Sequence, residues 1–203
     1  MDPENSVASI DSSSKEINLK ICLLGETLVG KTAIIFRYIN NKFQENHDNT
    51  IEEQYTKYIN IDGVECRLDI KDTGGQEEYQ TTLDTWIKSS DAFLLVFSFE
   101  LEKSFEGVKS RIERIKNFKD ENKLCLVVVG NKCDLEDKKV NKEDVENFCN
   151  ENKINFIEVS ALNEINISEA FLDVSRQLLK KKYANKIKKI KSKDKGKGFC
   201  CYC

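Results

Sequence analysis

Gly25-Glu26-Thr27-Leu28-Val29-Gly30-Lys31-Thr32 is the stretch on which the reading of this chain turns. It fits the pattern G-x-x-x-x-G-K-[ST]. It follows an alternating apolar run (Ile17, Leu19, Ile21, Leu23) and leads into the helical stretch Ala33 to Asn40, the strand, loop and helix context that this pattern requires. In such a loop, backbone N–H groups and the positive end of the following helix surround phosphate oxygens. Gly25 and Gly30 bracket the loop, Lys31 neutralises β and γ phosphates, and the Thr32 hydroxyl suits Mg²⁺; Ala33, at the helix start, belongs with the same nucleotide-binding set. Alone, the loop is compatible with ATPases, nucleotide kinases and GTPases.

Outward from the loop the chain keeps alternating. Glu53 to Ile61 and Val64 to Ile70 are strand-like runs separated by Asp62-Gly63, which suits a two-residue hairpin turn, so one antiparallel pair is predicted. Three continuous apolar runs follow, Ala92 to Phe97, Leu124 to Val129 and Ile154 to Val159, separated by charge-rich helical stretches. Strands of that kind, alternating with helices, indicate a parallel sheet covered on both faces. A last helix, from about Asn166 to Tyr183, carries Ala170, Phe171, Val174, Leu178 and Leu179 and is predicted to pack on the sheet. The fold class is α/β of the P-loop NTPase type: a six-stranded, mostly parallel sheet with one antiparallel hairpin strand and helices on both faces.

With 203 residues, 39% apolar and 33% charged, the chain suits one globular domain with short appendages. Residues 1–16, with Pro3 and a serine run, read as a disordered leader, 17–183 as the domain and 184–203 as a basic tail. No run approaches the roughly 20 apolar residues of a membrane-spanning helix. The net charge of −3 hides an asymmetry: residues 180–203 hold ten lysines against Asp194 alone, a local +9 that leaves −12 on the rest. The tail therefore points to a phosphate-rich partner, an anionic membrane or nucleic acid, while the acidic body should avoid nucleic acid. Eight cysteines are present, but the N-terminus is polar and lacks the apolar core of a signal peptide, so a reducing compartment is expected. Cys22, Cys66 and Cys125 lie in apolar runs and are expected to be buried; Cys200, Cys201 and Cys203 crowd the end.

Asn131-Lys132-Cys133-Asp134 chooses the base, following the run Leu124 to Val129 at the carboxyl end of the sheet. At these residues the chain resembles the Ras superfamily of small GTPases, whose N-K-x-D motif reads guanine. The resemblance implies that Asp134 accepts from the guanine N1–H and 2-amino group, Asn131 braces the loop and the Lys132 stem lies over the base. Adenine lacks both donors and would leave the carboxylate unpaired. Ser160-Ala161-Leu162 resembles the loop in which the alanine N–H meets guanine O6, and Phe43 resembles the aromatic that packs edge-on against the base. Asp72-Thr73-Gly74-Gly75-Gln76-Glu77-Glu78-Tyr79 resembles the second switch. There Asp72 would hold Mg²⁺ through water, the Gly75 N–H would sense the γ phosphate and Gln76 would orient the attacking water. Thr50 resembles the first-switch threonine that ligates Mg²⁺ and the γ phosphate. The resemblance covers roughly Leu19 to Tyr183.

What it implies is a GTP/GDP switch with Mg²⁺, two switch segments ordered by the γ phosphate, and effector, exchange and GTPase-activating partners. Gln76, Lys31 and Gly75 would act on an in-line attack of water, slowly, because no arginine finger is evident in cis. Several residues depart from the family pattern. Thr27 and Leu28 stand where small residues are usual, Gly74 replaces an alanine, Asn49 a proline and His47 an aromatic. These departures motivate an alternative, a hydrolysis-impaired GTP-binding scaffold that is persistently active. Glu52-Glu53, Glu77-Glu78-Tyr79 and Asn131 to Leu135 look most like the Ras branch, and Lys71 stands where Rab proteins carry tryptophan. The ending Cys200-Cys201-Tyr202-Cys203 instead contains a C-x-C terminus similar to doubly geranylgeranylated Rab tails, with Cys201 and Cys203 as the expected lipid sites and Cys200 in a C-a-a-X frame. The expected location is the cytoplasmic face of a membrane, in signalling or vesicle trafficking.

Overall fold

The computed structural model of the chain describes residues 17–43, 52–74 and 80–183. Strands β1 (Ile17–Leu24), β2 (Glu52–Ile61), β3 (Val64–Thr73), β4 (Ala92–Ser98), β5 (Leu126–Asn131) and β6 (Asn155–Glu158) form one sheet in the order β2-β3-β1-β4-β5-β6. Every neighbouring pair is parallel except β2 and β3, which are antiparallel. Helices α1 (Lys31–Asn40), α2 (Gln80–Ser89), α3 (Glu102–Phe118), α4 (Lys142–Asn152) and α5 (Ile167–Lys182) alternate with the strands. This is the architecture expected from the sequence.

The physical reasons are local first. Asp62 and Gly63 turn the hairpin with φ of 52° and 85°, both left-handed as a two-residue turn of matching twist demands, and the register runs from Ile61 opposite Val64 to Glu52 opposite Thr73. β4 is buried at all seven positions, since it has a strand on each side and helices over both faces. On one face, Leu19, Ile21 and Leu23 meet Ile34 and Ile35 of α1 and Phe171 and Val174 of α5. On the other, Phe93, Leu95 and Phe97 meet Trp86 of α2, Phe105, Val108 and Ile112 of α3, and Val145 of α4. Cys22, Cys66 and Cys125 are buried as expected.

Boundaries differ from the pattern in the sequence by up to three residues: β3 runs on to Thr73 rather than ending at Ile70, β6 spans Asn155–Glu158 rather than Ile154 to Val159, and β5 is displaced toward its carboxyl end. The run beginning at Leu124 enters the sheet only at Leu126, because the Leu124 N–H donates back to the Glu121 carbonyl at 3.2 Å and closes a one-turn 3₁₀ helix, Glu121–Lys123. At the same end of the domain the Tyr183 hydroxyl donates to the Asn18 carbonyl at 3.0 Å, tying the end of α5 to the start of β1. The predicted leader and tail lie outside the described residues.

Candidate functional site

The described motifs sit at the carboxyl ends of parallel strands: the loop after β1, Asp72 near the end of β3, Asn131 closing β5, and Ser160 just beyond β6. The phosphate loop fits there because two of its residues have no side chain. A Cβ on Gly25 would lie 2.1 Å from the Val96 carbonyl oxygen, and one on Gly30, whose φ is +92°, would lie 2.3 Å from Asn131 Nδ2. Val29 is fully buried and anchors the loop, while Leu28 projects outward, 77% exposed, with a left-handed φ of 66° that costs a non-glycine residue about 1–2 kcal/mol. Thr27 is exposed beside it. Lys31 is buried, and its Nζ donates to the carbonyls of Gly25 at 2.8 Å and Glu26 at 2.9 Å, placing its charge inside the loop.

The Thr32 hydroxyl donates to Asp72 Oδ2 at 2.6 Å, joining the start of α1 to the end of β3. The other Asp72 oxygen is buried without a hydrogen-bond partner. Burial pushes the Asp72 carboxyl up to about 6, against the opposing pull of the Thr32 hydroxyl and the Lys31 charge. A buried carboxylate with an unused oxygen beside a hydroxyl is a hard-oxygen donor set, and it fits Mg²⁺, which binds through one or two protein oxygens and takes its remaining ligands from phosphate and water.

At the base end, Asn131 is buried and joins three segments. Its Nδ2 donates to the Val29 carbonyl at 2.8 Å, and its Oδ1 accepts a longer bond, 3.3 Å, from the Ala161 N–H. The N–H expected to meet a base oxygen therefore already has a weak partner within the site. Lys132 has φ of 62° and its Nζ pairs with Glu100, which lowers the Glu100 carboxyl below its ordinary range. Asp134 Oδ1 is buried and unpartnered. Ser160 exchanges backbone hydrogen bonds with Ile165, and its hydroxyl accepts from the Asn163 N–H at 3.0 Å. Ala161 is buried and Leu162 half exposed. Phe43 packs, half-buried, against the core under α1 and α5.

The family model described as the Ras family matches residues 20–180. The chain belongs to the Ras family. Ras-family proteins are small GTPases that bind GTP and GDP, typically with Mg²⁺. Of the residues that the resemblance singled out, the fold gathers Lys31, Thr32 and Asp72 at one end of the site and Asn131, Asp134 and Ala161 at the other. Thr50, Gly75 and Gln76 lie outside the described residues, as do His47, Asn49 and the terminal cysteines.

Two arginines join this Ras-family site without any motif to announce them. Arg111 of α3 reaches the Glu26 carboxylate in the phosphate loop at 2.9 Å. Arg37 of α1 donates to the carbonyls of Ala161 and Leu162. The one sequence signal for the first is a glycine, Gly107, inside a helix one turn before an arginine; for the second there is none.

Proposed function

We propose that this Ras-family chain is a GTP/GDP switch that reads guanine with Asp134 and Ala161 and holds Mg²⁺-bound phosphates with Lys31, Thr32 and Asp72. The observation that carries the reading is a pair of buried carboxylate oxygens without partners, Asp134 Oδ1 at the base end and Asp72 Oδ1 at the phosphate end. Orphaned oxygens of this kind are costly in a folded protein unless a ligand completes them. Guanine N1–H and its 2-amino group supply donors to the first; a divalent cation suits the second. Phe43 and the Lys132 stem flank the base, Asn131 holds the two ends in register, and Gly25, Gly30 and Ala33 form the phosphate cradle with Ser160 and Leu162 bounding the base loop.

For hydrolysis, Gln76 orients a water for in-line attack on the γ phosphate while Thr50 and the Gly75 N–H contact that phosphate and Lys31 neutralises charge as the bond to the leaving oxygen breaks. Mg²⁺, when bound, neutralises phosphate charge. With no arginine finger in cis, the unassisted rate should be on the order of 10⁻⁴ to 10⁻² per second, and an activating protein would be needed to raise it. Loss of the γ phosphate releases the switch segments and so changes which effectors bind. The outward projection of Leu28 beside Thr27 favours a second reading, in which these side chains crowd an incoming arginine and the chain persists as a GTP-bound scaffold.

The basic tail, 184–203, would carry lipid on Cys201 and Cys203 and sit on the cytoplasmic face of a membrane, following a domain at 17–183 and a leader at 1–16. Each buried methylene contributes about 0.8 kcal/mol and each lysine near an anionic leaflet roughly 1 kcal/mol, so chains and charge act together. Changing Cys201 and Cys203 to serine should release the chain from membranes; retention that washes off in high salt would assign anchoring to the lysines. The base reading is tested by Asp134→Asn, which should weaken GDP and favour xanthosine diphosphate, whose 2-oxo group an amide can satisfy. Unchanged GDP affinity would overturn it.

A further inference from the structure

Arg37 makes more contacts than the proposed roles require of it. Its side chain is only 12% exposed. The Nε donates to the Ala161 carbonyl at 2.9 Å and Nη2 to the Leu162 carbonyl at 2.8 Å, two successive peptides gripped by one planar fork. Nη1 donates to the Asn41 carbonyl at 3.3 Å, where α1 ends, and stands 3.5 Å from the Glu164 carboxylate. The guanidinium also lies 5.9 Å from the centre of the Phe43 ring.

The loop that Arg37 grips has two non-glycine residues in the left-handed region, Glu164 at φ 59° and Asn166 at φ 53°. Conformations of this kind persist only where the surroundings hold them. Part of the hold is internal, through Ser160 and Ile165 and through Asn166 Nδ2 to the Glu158 carbonyl at 2.9 Å. The rest comes from outside the loop, from Asn131 on the Ala161 N–H and from Arg37 on the two carbonyls that follow. A trans peptide points its N–H opposite to its C=O. Fixing the Ala161 carbonyl against α1 therefore fixes the Leu162 N–H away from α1.

We infer that Arg37 is a positioning residue for guanine: it fixes the 161–162 and 162–163 peptides, which directly follow the Ala161 N–H that meets the base oxygen in the proposed reading, and joins that loop, through Asn41 and Phe43, to the chain leaving α1. This rests on the guanine reading proposed above. Hydrogen bonds from a charged donor are stronger than neutral ones, and a lysine could reach one of the two carbonyls but not span both.

The test compares three diphosphates on the nucleotide-loaded full chain. GDP and 6-thio-GDP differ only at the base oxygen, so their affinity ratio reads the 161–162 loop; GDP and IDP differ only in the 2-amino group, so their ratio reads Asp134. In the unaltered protein each ratio should be on the order of tenfold, the worth of one good hydrogen bond. In Arg37→Met the GDP to 6-thio-GDP ratio should fall to within about twofold of one while the GDP to IDP ratio stays unchanged. Arg37→Lys should give an intermediate loop ratio, and it carries the test by itself if the methionine variant does not fold. Either variant with an unaltered loop ratio, or with both ratios lowered together, would show Arg37 to be merely structural and overturn the inference. A GDP to IDP ratio near one in the unaltered protein would remove the guanine reading itself, and this inference with it.

Discussion

The Arg111 guanidinium meets the Glu26 carboxylate at 2.9 Å, so a helix on one face of the sheet holds the second residue of the phosphate loop. Gly107 leaves the room: a Cβ there would lie 2.6 Å from both Arg111 Nη1 and Glu26 Oε1. Arg111→Met should lower stability by about 1–3 kcal/mol in urea unfolding and speed GDP release several-fold, as the loop loses its outside support. A glycine to alanine change inside a helix ordinarily stabilises by roughly 0.5–1 kcal/mol. At Gly107 the methyl would push aside the ends of two flexible side chains, so Gly107→Ala should gain less than that while releasing GDP faster than the unaltered chain, as Arg111→Met does. Unchanged GDP release in both variants would mean that the pair does not support the loop.

Asn131→Ala removes the partners of two buried backbone groups at once, the Val29 carbonyl and the Ala161 N–H. Each group left unpaired costs about 1–3 kcal/mol, so this variant should be among the least stable single changes in the domain and should release fluorescent GDP faster. Calorimetry with and without excess GDP checks it, and an unshifted melting temperature in both conditions would refute it.

Gly25→Ala and Gly63→Ala should separate close approach from backbone strain. At Gly25 the new methyl would lie 2.1 Å from a carbonyl oxygen of β4, so the loop must move. Nothing lies within 4 Å at Gly63, where only the left-handed φ resists, at about 1–2 kcal/mol. Nucleotide binding should fail in the first variant and survive in the second, as read by titration with fluorescent GDP.

Alkaline pH should weaken the fold through two buried groups. Burial pushes the Cys149 thiol up to about 11 and the Tyr38 phenol up to about 12. Folded protein thus keeps protons that the unfolded chain releases earlier, from ordinary values of 9.0 and 10.0. Below about pH 9 both states hold these protons and stability is unaffected; above it the unfolded state ionises first and stability falls. Urea midpoints measured between pH 8 and 11 should decline, and Cys149→Ala should remove the earlier part of the decline. A flat profile across that range would contradict this account.

Much of the fold was readable in the sequence because its signals are local: the Asp62-Gly63 turn, the uninterrupted apolar runs of β4 and β5, and the glycine-bracketed loop that opens α1. Leu124 shows the limit, since its apolar side chain suits a strand while its N–H is committed to a preceding turn, which composition does not reveal. The candidate site divides in the same way. Lys31, Thr32, Asn131 and Asp134 stand in short motifs with fixed spacing. Arg37 and Arg111 do not, because their partners lie 124 and 85 residues away and are brought near only by the crossing of β-strands and helices. A surface-pattern arginine on α1 reads as solvated until the 160–164 loop is folded over it.

The bond between Tyr183 and Asn18 has a mechanical consequence. The described chain enters and leaves the domain at one pole, and the phosphate loop stands at the other, the length of β1 away, about 25 Å for eight residues. Anything that tethers the chain beyond Tyr183 pulls at the amino end of the sheet, beside the interior strand β1, and leaves the nucleotide-binding rim turned outward. Load on such a tether would be borne first by the Tyr183–Asn18 bond and by α5 where it packs on β4 and β5, and would reach the ligand pole only through the whole depth of the core.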